Sequence, residues 1–457
     1  MLRKAKQQIK SKRGQIDMIN PDAAGIDISS TEHQVCVPQD RCKDYNRCFG
    51  CYTSDLHSIA KWLKECNIKT VAMESTGIYW VQLFLILEEY GFDVLLVNAR
   101  HIKNIGGKKT DVSDAEWIMT LHSYGLLRAS YQPDIETREV REYMRQRETL
   151  IQSACREVLH MQKSLEQMNI KLHKVISDIL GKSGMSIIEA ILKGVRNPME
   201  LAQLADPRVK ATKEEIIKSL EANWSKSQLF ILKQSYELYL FYKSRIEQCD
   251  LQIQEYLEAL QINTQKKVVP VSTTQGEKKK SKAKKLKKND LTFDANKYLI
   301  EVFGVDLTKI PGLDCLSVTK LLSELGPRFY EKFESAKQFC SWANIVPNTK
   351  ISGGRQISSK VPRKKSKVGQ IFRFAAFTLS KAKSPLGEYF RKIYARRCYG
   401  QAIVAVANKI ARIFYKMVKE NKEYNEELLR VNDKKYLERQ IAYTKRKIQI
   451  LENQLAA

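Results

Sequence analysis

The fold is decided by Ala24-Gly25-Ile26-Asp27-Ile28-Ser29, a short run in which an aspartate interrupts residues that favour a strand. Aspartate is disfavoured in strands, and a carboxylate among apolar neighbours needs a partner to offset its desolvation. Working outward, His33–Pro38, Thr70–Met73 and Asp93–Asn98 read as further short β-type runs, and Leu56–Glu65 and Trp80–Glu89 carry helical apolar spacing between them. This alternation predicts an α/β domain with a mixed sheet. Within it, Val71-Ala72-Met73 leads directly into Glu74 at a strand exit, before the turn Ser75-Thr76-Gly77. A third acidic element is Lys109-Thr110-Asp111-Val112-Ser113-Asp114-Ala115, where Asp111 and Asp114 stand three apart, a spacing that shares one face at a helix start. Together Asp27, Glu74, Asp111 and Asp114 make a cradle for hard divalent cations, which take oxygen ligands. Two such ions roughly 4 Å apart stabilise the attacking and leaving oxygens of a displacement at phosphorus. Each acid also has a plain structural reading: Asp111 as a helix cap or first-turn acid, Glu74 as a loop acid, Asp27 as a satisfied edge-strand acid.

Charge points in the same direction. The 457 residues carry a formal net charge of +27, which calls for a polyanionic partner. No apolar run has the length of a membrane-spanning helix, and the basic stretch Met1–Gly14 lacks the apolar core of a secretory signal. The expectation is a cytoplasmic, nucleoid-associated protein with its ten cysteines reduced and no membrane partner. Cys48 and Cys51 have CxxC spacing, with Cys36, Cys42 and His57 nearby, but no second such pair follows and they sit in a strand-like stretch. Ordinary thiols are therefore the better reading than a zinc ribbon.

Beyond the first domain, taken as residues 15–135, the pattern over 136–262 is almost wholly helical, with long periodic stretches at Thr149–Lys174 and Ser227–Leu260 and a shorter section at Ile187–Leu204. This predicts a protruding helical or coiled-coil spacer. A linker follows at 263–293: eight of the eleven residues from Lys278 to Lys288 are lysine, too few apolar groups to fold. A second globular unit, 294–422, is rich in helical patterning, and 423–457 carries a short heptad pattern, with Ile441, Ile448 and Leu455 in one seam and Leu437, Thr444 and Leu451 in the other. That tail is either an oligomerisation helix or one packed on the body.

The quoted motifs, with Met73-Glu74-Ser75-Thr76-Gly77-Ile78-Tyr79-Trp80, resemble the DEDD transposases of bacterial insertion sequences. The resemblance implies an RNase H-like (RuvC-like) first domain in which Asp27, Glu74, Asp111 and Asp114 are catalytic and bind Mg²⁺ or Mn²⁺. In the second half, Lys309-Ile310-Pro311-Gly312-Leu313 followed by Thr319–Gly326 is similar to the family's C-terminal transposase domain and is built like a helix-hairpin-helix; a plain helix pair is the alternative. Pro347-Asn348-Thr349-Lys350-Ile351-Ser352-Gly353-Gly354-Arg355 matches the family's serine motif, which implies that Ser352 is the nucleophile; on spacing alone it is a turn. The resemblance further implies double-stranded donor and target DNA, a structured non-coding guide RNA, and a homo-oligomer, dimer or tetramer.

Glycines permit close backbone approach to a phosphate, so Gly353 and Gly354 join Lys350, Arg355, Lys360, Arg363, Lys364, Lys365, Lys367 and Arg373 as the expected nucleic-acid surface. Phe372, Phe374 and Phe377 read as core, whereas Arg391, Lys392, Arg396 and Arg397 with Tyr389, Tyr394 and Tyr399 extend the basic, aromatic stretch.

Overall fold

A computed structural model of the chain describes residues 18–99, 102, 113–263, 288–362 and 366–426, and in the tail 438, 441–446, 448–449 and 452–453. The chain divides after Gln132 into two compact units.

The first unit runs β1 (Ala23–Ile28), β2 (Glu32–Cys36), β3 (Asn46–Gly50), α1 (Thr53–Glu65), β4 (Thr70–Glu74), α2 (Trp80–Glu89), β5 (Asp93–Val97) and α3 (Asp114–Ser123). The five strands form one mixed sheet in the order β3-β2-β1-β4-β5. β1 pairs antiparallel with β2 and parallel with β4, and β5 continues the parallel side. This is the mixed sheet that the alternating pattern predicts, and it is consistent with the RNase H-like fold that the resemblance implies. Side chains alternate across a strand, so each face has its own register. On one face Ala24, Ile26, Ile28, Val35, Val71, Met73 and Leu96 pack with Ile59 and Leu63 of α1 and Leu83 and Leu87 of α2. The other face takes α3, whose Ile118 and Leu121 cluster with Ala72 and Val97.

In the second unit two long helices, α4 (Ile135–Gln167) and α9 (Lys226–Asn263), pack against each other. They are not a bare coiled coil: α5 (Leu172–Val175), α6 (Lys182–Leu192), α7 (Pro198–Gln203) and α8 (Lys213–Ser219) lie between them in sequence. Ile187, Ile191, Leu201 and Ile216 from this section join Met161, Leu165 and Leu232 of the long helices in one core. A polar weld joins α4 and α9 to the segment at Asn289 and Asp290. Arg147, 1% exposed, pairs with the fully buried Asp250 at 2.5 Å and donates to the carbonyls of those two residues.

The remainder comprises α10 (Asn296–Phe303), α11 (Cys315–Leu325), α12 (Ala336–Trp342), the antiparallel ribbon β6 (Asn348–Ser352) and β7 (Arg355–Lys360), α13 (Lys367–Thr378), α14 (Pro385–Tyr394) and α15 (Tyr399–Glu420). Phe303, Phe329, Phe339, Phe372 and Phe414, all essentially buried, form its centre, with ring centroids 5.3–6.1 Å apart in successive pairs. Glu148 of α4 accepts from Lys320 of α11 and Lys367 of α13, and Arg145 of α4 pairs with Glu324 of α11. Burial pushes the Glu148 carboxyl up, but the two lysine hydrogen bonds outweigh it and hold it below the usual carboxylate value.

One expectation is corrected here. Phe372 is core, but Phe374 and Phe377 are 72% and 53% exposed, because α13 turns only its Val368, Phe372 and Ala376 face inward. The lysine-rich linker through Lys287 and the seam residues Leu437, Leu451 and Leu455 lie outside the described residues, while Ile441 and Ile448 are helical and about half exposed.

Candidate active site

The carboxylate site grows from the sheet register. Ile26 stands beside Met73 on the neighbouring parallel strand, so Asp27 and Glu74 are the next positions along and share the face on which α3 lies. Both are half-buried. Glu74 accepts from the Thr76 hydroxyl at 3.1 Å, which holds its carboxylate at the strand exit. Asp114 is the first residue of α3 and is exposed.

What sets α3 there is Gly25. A Cβ on Gly25 would sit 2.2 Å from the Met119 amide nitrogen and 2.3 Å from the Ala115 carbonyl oxygen, so the helix backbone rests directly on β1. A second restraint is a hydrogen-bond chain. Gln34, opposite Asp27 on β2, donates to Asn46 at 2.9 Å; Asn46 donates to the Ser113 hydroxyl at 3.1 Å; and that hydroxyl caps α3 by accepting from the Glu116 amide. The chain links the strand position beside Asp27 to the helix start that carries Asp114. Sequence reasoning passed over Gly25, Gln34, Asn46 and Ser113, although Ser113 and Glu116 have the spacing of a capping motif. It also left Ile78 and Tyr79 unassigned, which are 77% and 47% exposed just beyond Glu74.

The helix begins at Asp114 with Ser113 as its cap. Asp111 lies outside the described residues, and among the described residues no three His, Cys, Asp or Glu side chains already converge on a metal position. The donor chemistry of Asp27, Glu74 and Asp114, all carboxylate oxygen, suits a hard divalent cation. Cys48 lies on β3 with its thiol donating to Glu32 at 3.2 Å, and Cys51 is exposed.

The serine motif is the end of the β6–β7 ribbon. Ser352 pairs with Arg355 across a two-residue turn in which Gly353 and Gly354 have φ of +55° and +74°. Both central residues at positive φ is the hairpin turn that follows the strand twist, and glycine adopts it without strain. No atom crowds either glycine, so conformation alone demands them. Lys350 pairs with Ser358 and Asn348 with Lys360, past a bulge that leaves Ile357 unpaired. By strand alternation Lys350, Ser352, Arg355 and Lys360 share one face, and Ile351, Gln356 and Ser359 the other. Lys350, Arg355 and Lys360 are exposed and enter no ion pair among the described residues.

The other expected contacts divide. Lys367 is engaged with Glu148 at 2.8 Å. Arg373 turns inward, donating to the Asn344 carbonyl at 2.5 Å with Nη1 buried, so it braces the end of α12 and is not available to a polyanion. Arg363, Lys364 and Lys365 lie outside the described residues. The helix-hairpin-helix expectation meets a helix pair, α10 and α11, whose turn faces the protein. A Cβ on Gly312 would lie 2.7 Å from the Ala375 carbonyl. Asp314 caps α11 through the Ser317 amide and hydroxyl, setting a negative charge where a phosphate would need amides.

Two family models match. One, described as a transposase of the DEDD, IS110 type, covers residues 24–170; the other, described as Transposase IS116/IS110/IS902 family, covers residues 306–391. No curated protein matches the chain. The first match takes in the strands and helix that carry Asp27, Glu74 and Asp114, the second the ribbon that carries Ser352, and together they span just over half of the sequence. The chain therefore belongs to the IS110-type DEDD transposases of insertion sequences, enzymes that act on DNA.

Proposed function

We propose that this transposase exchanges DNA strands through a covalent serine–DNA linkage, with the carboxylates of the first unit and Ser352 of the second as its two reacting sets. The observation that carries the reading is the ribbon end. Ser352 is exposed, directly across from Arg355 and on the same face as Lys350, so a phosphate brought to its hydroxyl meets two cations. Attack by Ser352 Oγ on phosphorus forms one O–P bond as a sugar oxygen departs and takes up a proton, conserving the phosphate ester for rejoining. The hydroxyl must also lose its proton. Residues 348–360 contain no acid and no histidine, so the acceptor comes from outside the ribbon.

Asp27, Glu74 and Asp114, with Asp111, are the proposed ligands of Mg²⁺. A bound divalent ion would supply charge stabilisation at the attacking and leaving oxygens. The chain's own part is to hold Asp27 and Glu74 side by side on adjacent strands and to press α3 against them over Gly25. In this reading a structured non-coding RNA from the element guides donor and target DNA, and the acting species is an oligomer.

The test is to co-express the protein with its flanking non-coding DNA, add Mg²⁺ and end-labelled target, and look on a denaturing gel for label attached to protein. A protein–DNA adduct lost in both Ser352→Ala and Asp27→Ala supports the proposal. Cleavage without adduct, sensitive to Asp27→Ala alone, replaces it with a junction nuclease that uses water.

A further inference from the structure

Behind the ribbon lies a cleft of about 990 Å³, bordered by the base of β7, by α14 and by the start of α15. That is at the upper end of the roughly 300–1,000 Å³ typical of small-molecule sites. Its lining combines three kinds of chemistry. Ile393 of α14 and Val404 of α15 provide an apolar wall, joined by the ring of Tyr389, one turn before Ile393, which has the Lys409 ammonium 4.4 Å from its centre. Gln356 and Gln401 present side-chain amides that make no hydrogen bond within the described residues. Lys360 and Arg397 supply positive charge at its edge, next to the first turn of α15, whose cap residue Cys398 makes no side-chain cap bond. The amides of that turn, at Tyr399 and Gly400, are therefore left to an outside acceptor.

No single simple ligand uses all three. A free phosphate has no use for the apolar wall, and a hydrocarbon has none for the amides and cations. A nucleotide uses every part: a flat ring with a hydrogen-bonding edge, joined to a phosphate. The position fits as well. Gln356 and Ser359 face the cleft from the side of the ribbon opposite Ser352, and Gln356 is one strand position, about 3.4 Å, from Arg355. A strand whose phosphate sits at Ser352 passes the cleft within one or two nucleotides. Enzymes that do chemistry on a base take it out of the stack at a modest energetic cost, least where the base is already unpaired, so a cleft that takes a single base is energetically accessible.

We propose that this cleft holds one unpaired nucleotide of the DNA strand engaged by the ribbon, with its base against Tyr389 and Ile393, its edge at Gln356 and Gln401, and its phosphate at Arg397 and the start of α15. The inference rests on the proposed function only in taking that strand to be DNA lying along the ribbon.

The experiment uses the full-length Ser352→Ala protein in EDTA, so that no strand chemistry enters and its outcome stands apart from the adduct test. A short oligothymidylate carrying 5-iodouracil at every position is bound and photocrosslinked, and the crosslinked peptides are mapped by mass spectrometry. The expected result is a crosslink in the peptide containing Tyr389. Its yield falls about tenfold when Val404→Phe fills the cleft, the factor expected for loss of one base–aromatic stack. Gln401→Ala, at an exposed position that does not bear on folding, lowers the yield in the same direction and keeps the test valid if Val404→Phe does not fold. Crosslinks confined to Phe374, Phe377 or Tyr399, or a yield unchanged in Gln401→Ala and in folded Val404→Phe, overturn the site. A stronger crosslink with the ribo-oligonucleotide of the same sequence overturns the assignment to DNA.

Discussion

The face that carries Asp27 and the ribbon that carries Ser352 are built under opposite conditions. Asp27 lies in the centre of a five-stranded sheet, flanked by fully buried Ile26 and nearly buried Ile28, under a helix whose backbone touches Gly25. The ribbon has only two strands, and every one of their residues is exposed except the half-buried Ser358. A lone two-stranded hairpin is marginal in water, since it buries too little to offset the entropy of ordering it. The acids are thus positioned by the folded core before any DNA arrives, whereas Ser352 takes its direction from a glycine turn and a few backbone hydrogen bonds. On the proposed function a transposase gains from that division: the charge-stabilising half needs fixed geometry, and the attacking half must reach a phosphate.

The sharpest test of the contrast is chemical. Asp27→Asn should lower strand cleavage by roughly 10⁴-fold or more while DNA binding measured by gel shift is kept, as for other groups that act as one catalytic unit. Retained cleavage would remove Asp27 from the reaction. The next effect separates scaffold from ribbon. Gly25→Ala should cost about 1–3 kcal/mol in denaturant unfolding, the usual cost of overpacking, and reduce cleavage as α3 and Asp114 are pushed off the sheet. Gly353→Ala should leave global unfolding unchanged and impair cleavage only, because its strain is confined to a turn with nothing packed on it. Equal unfolding shifts in the two variants would break the comparison.

Smaller effects follow from charge. Lys350→Ala and Arg355→Ala should each weaken DNA binding across all sequences and reduce the salt dependence of affinity by about one counterion. Arg373→Ala, by contrast, should lower stability and leave the salt slope alone, since its guanidinium is spent on the Asn344 carbonyl.

The smallest concerns pH. Burial pushes the imidazoles of His33 and His122 below their ordinary value of 6.5; the Glu32 backbone hydrogen bond and then Asp27 pull His33 part of the way back, and Asp93 does the same for His122. Both therefore protonate less readily in the folded protein than in the unfolded chain. Their contribution to stability is intact above pH 6.5 and is lost as the pH falls below it. Melting temperatures between pH 7 and pH 5 should decline, and His122→Asn, which removes the imidazole beside the Thr70 hydroxyl, should flatten part of that slope.

Much of the first unit was legible because its signals are local. Thr70 and Asp93 begin strands where β-type residues begin, and Trp80–Glu89 is a helix from its first predicted residue to its last. Asp27 and Glu74 stand out because acids are rare where their neighbours demand a strand. Asp114 was legible as a helix-start acid, but the helix boundary was not, since it is the hydrogen bond from the Glu116 amide to the Ser113 hydroxyl that marks Ser113 as the cap. Phe374 and Phe377 mislead for a related reason: an aromatic run on a helix reads as core whichever side the helix presents.

By itself, the sequence determined the quantities that depend on one residue and its near neighbours. These are the strand and helix periods, the glycine pair that can turn a ribbon, the positive charge that needs a polyanion, and the acids that have no place in an ordinary strand. Tertiary structure alone decided which of these meet. Asp27 and Glu74, 47 positions apart, become neighbours only through the pairing of Ile26 with Met73. Arg373 turns from a phosphate contact into a brace once Asn344 lies beside it, and the cleft behind the ribbon exists only where β7, α14 and α15 come together. The physical reason is that periodicity is written into every few residues of a chain, whereas contacts between distant residues depend on how whole faces pack.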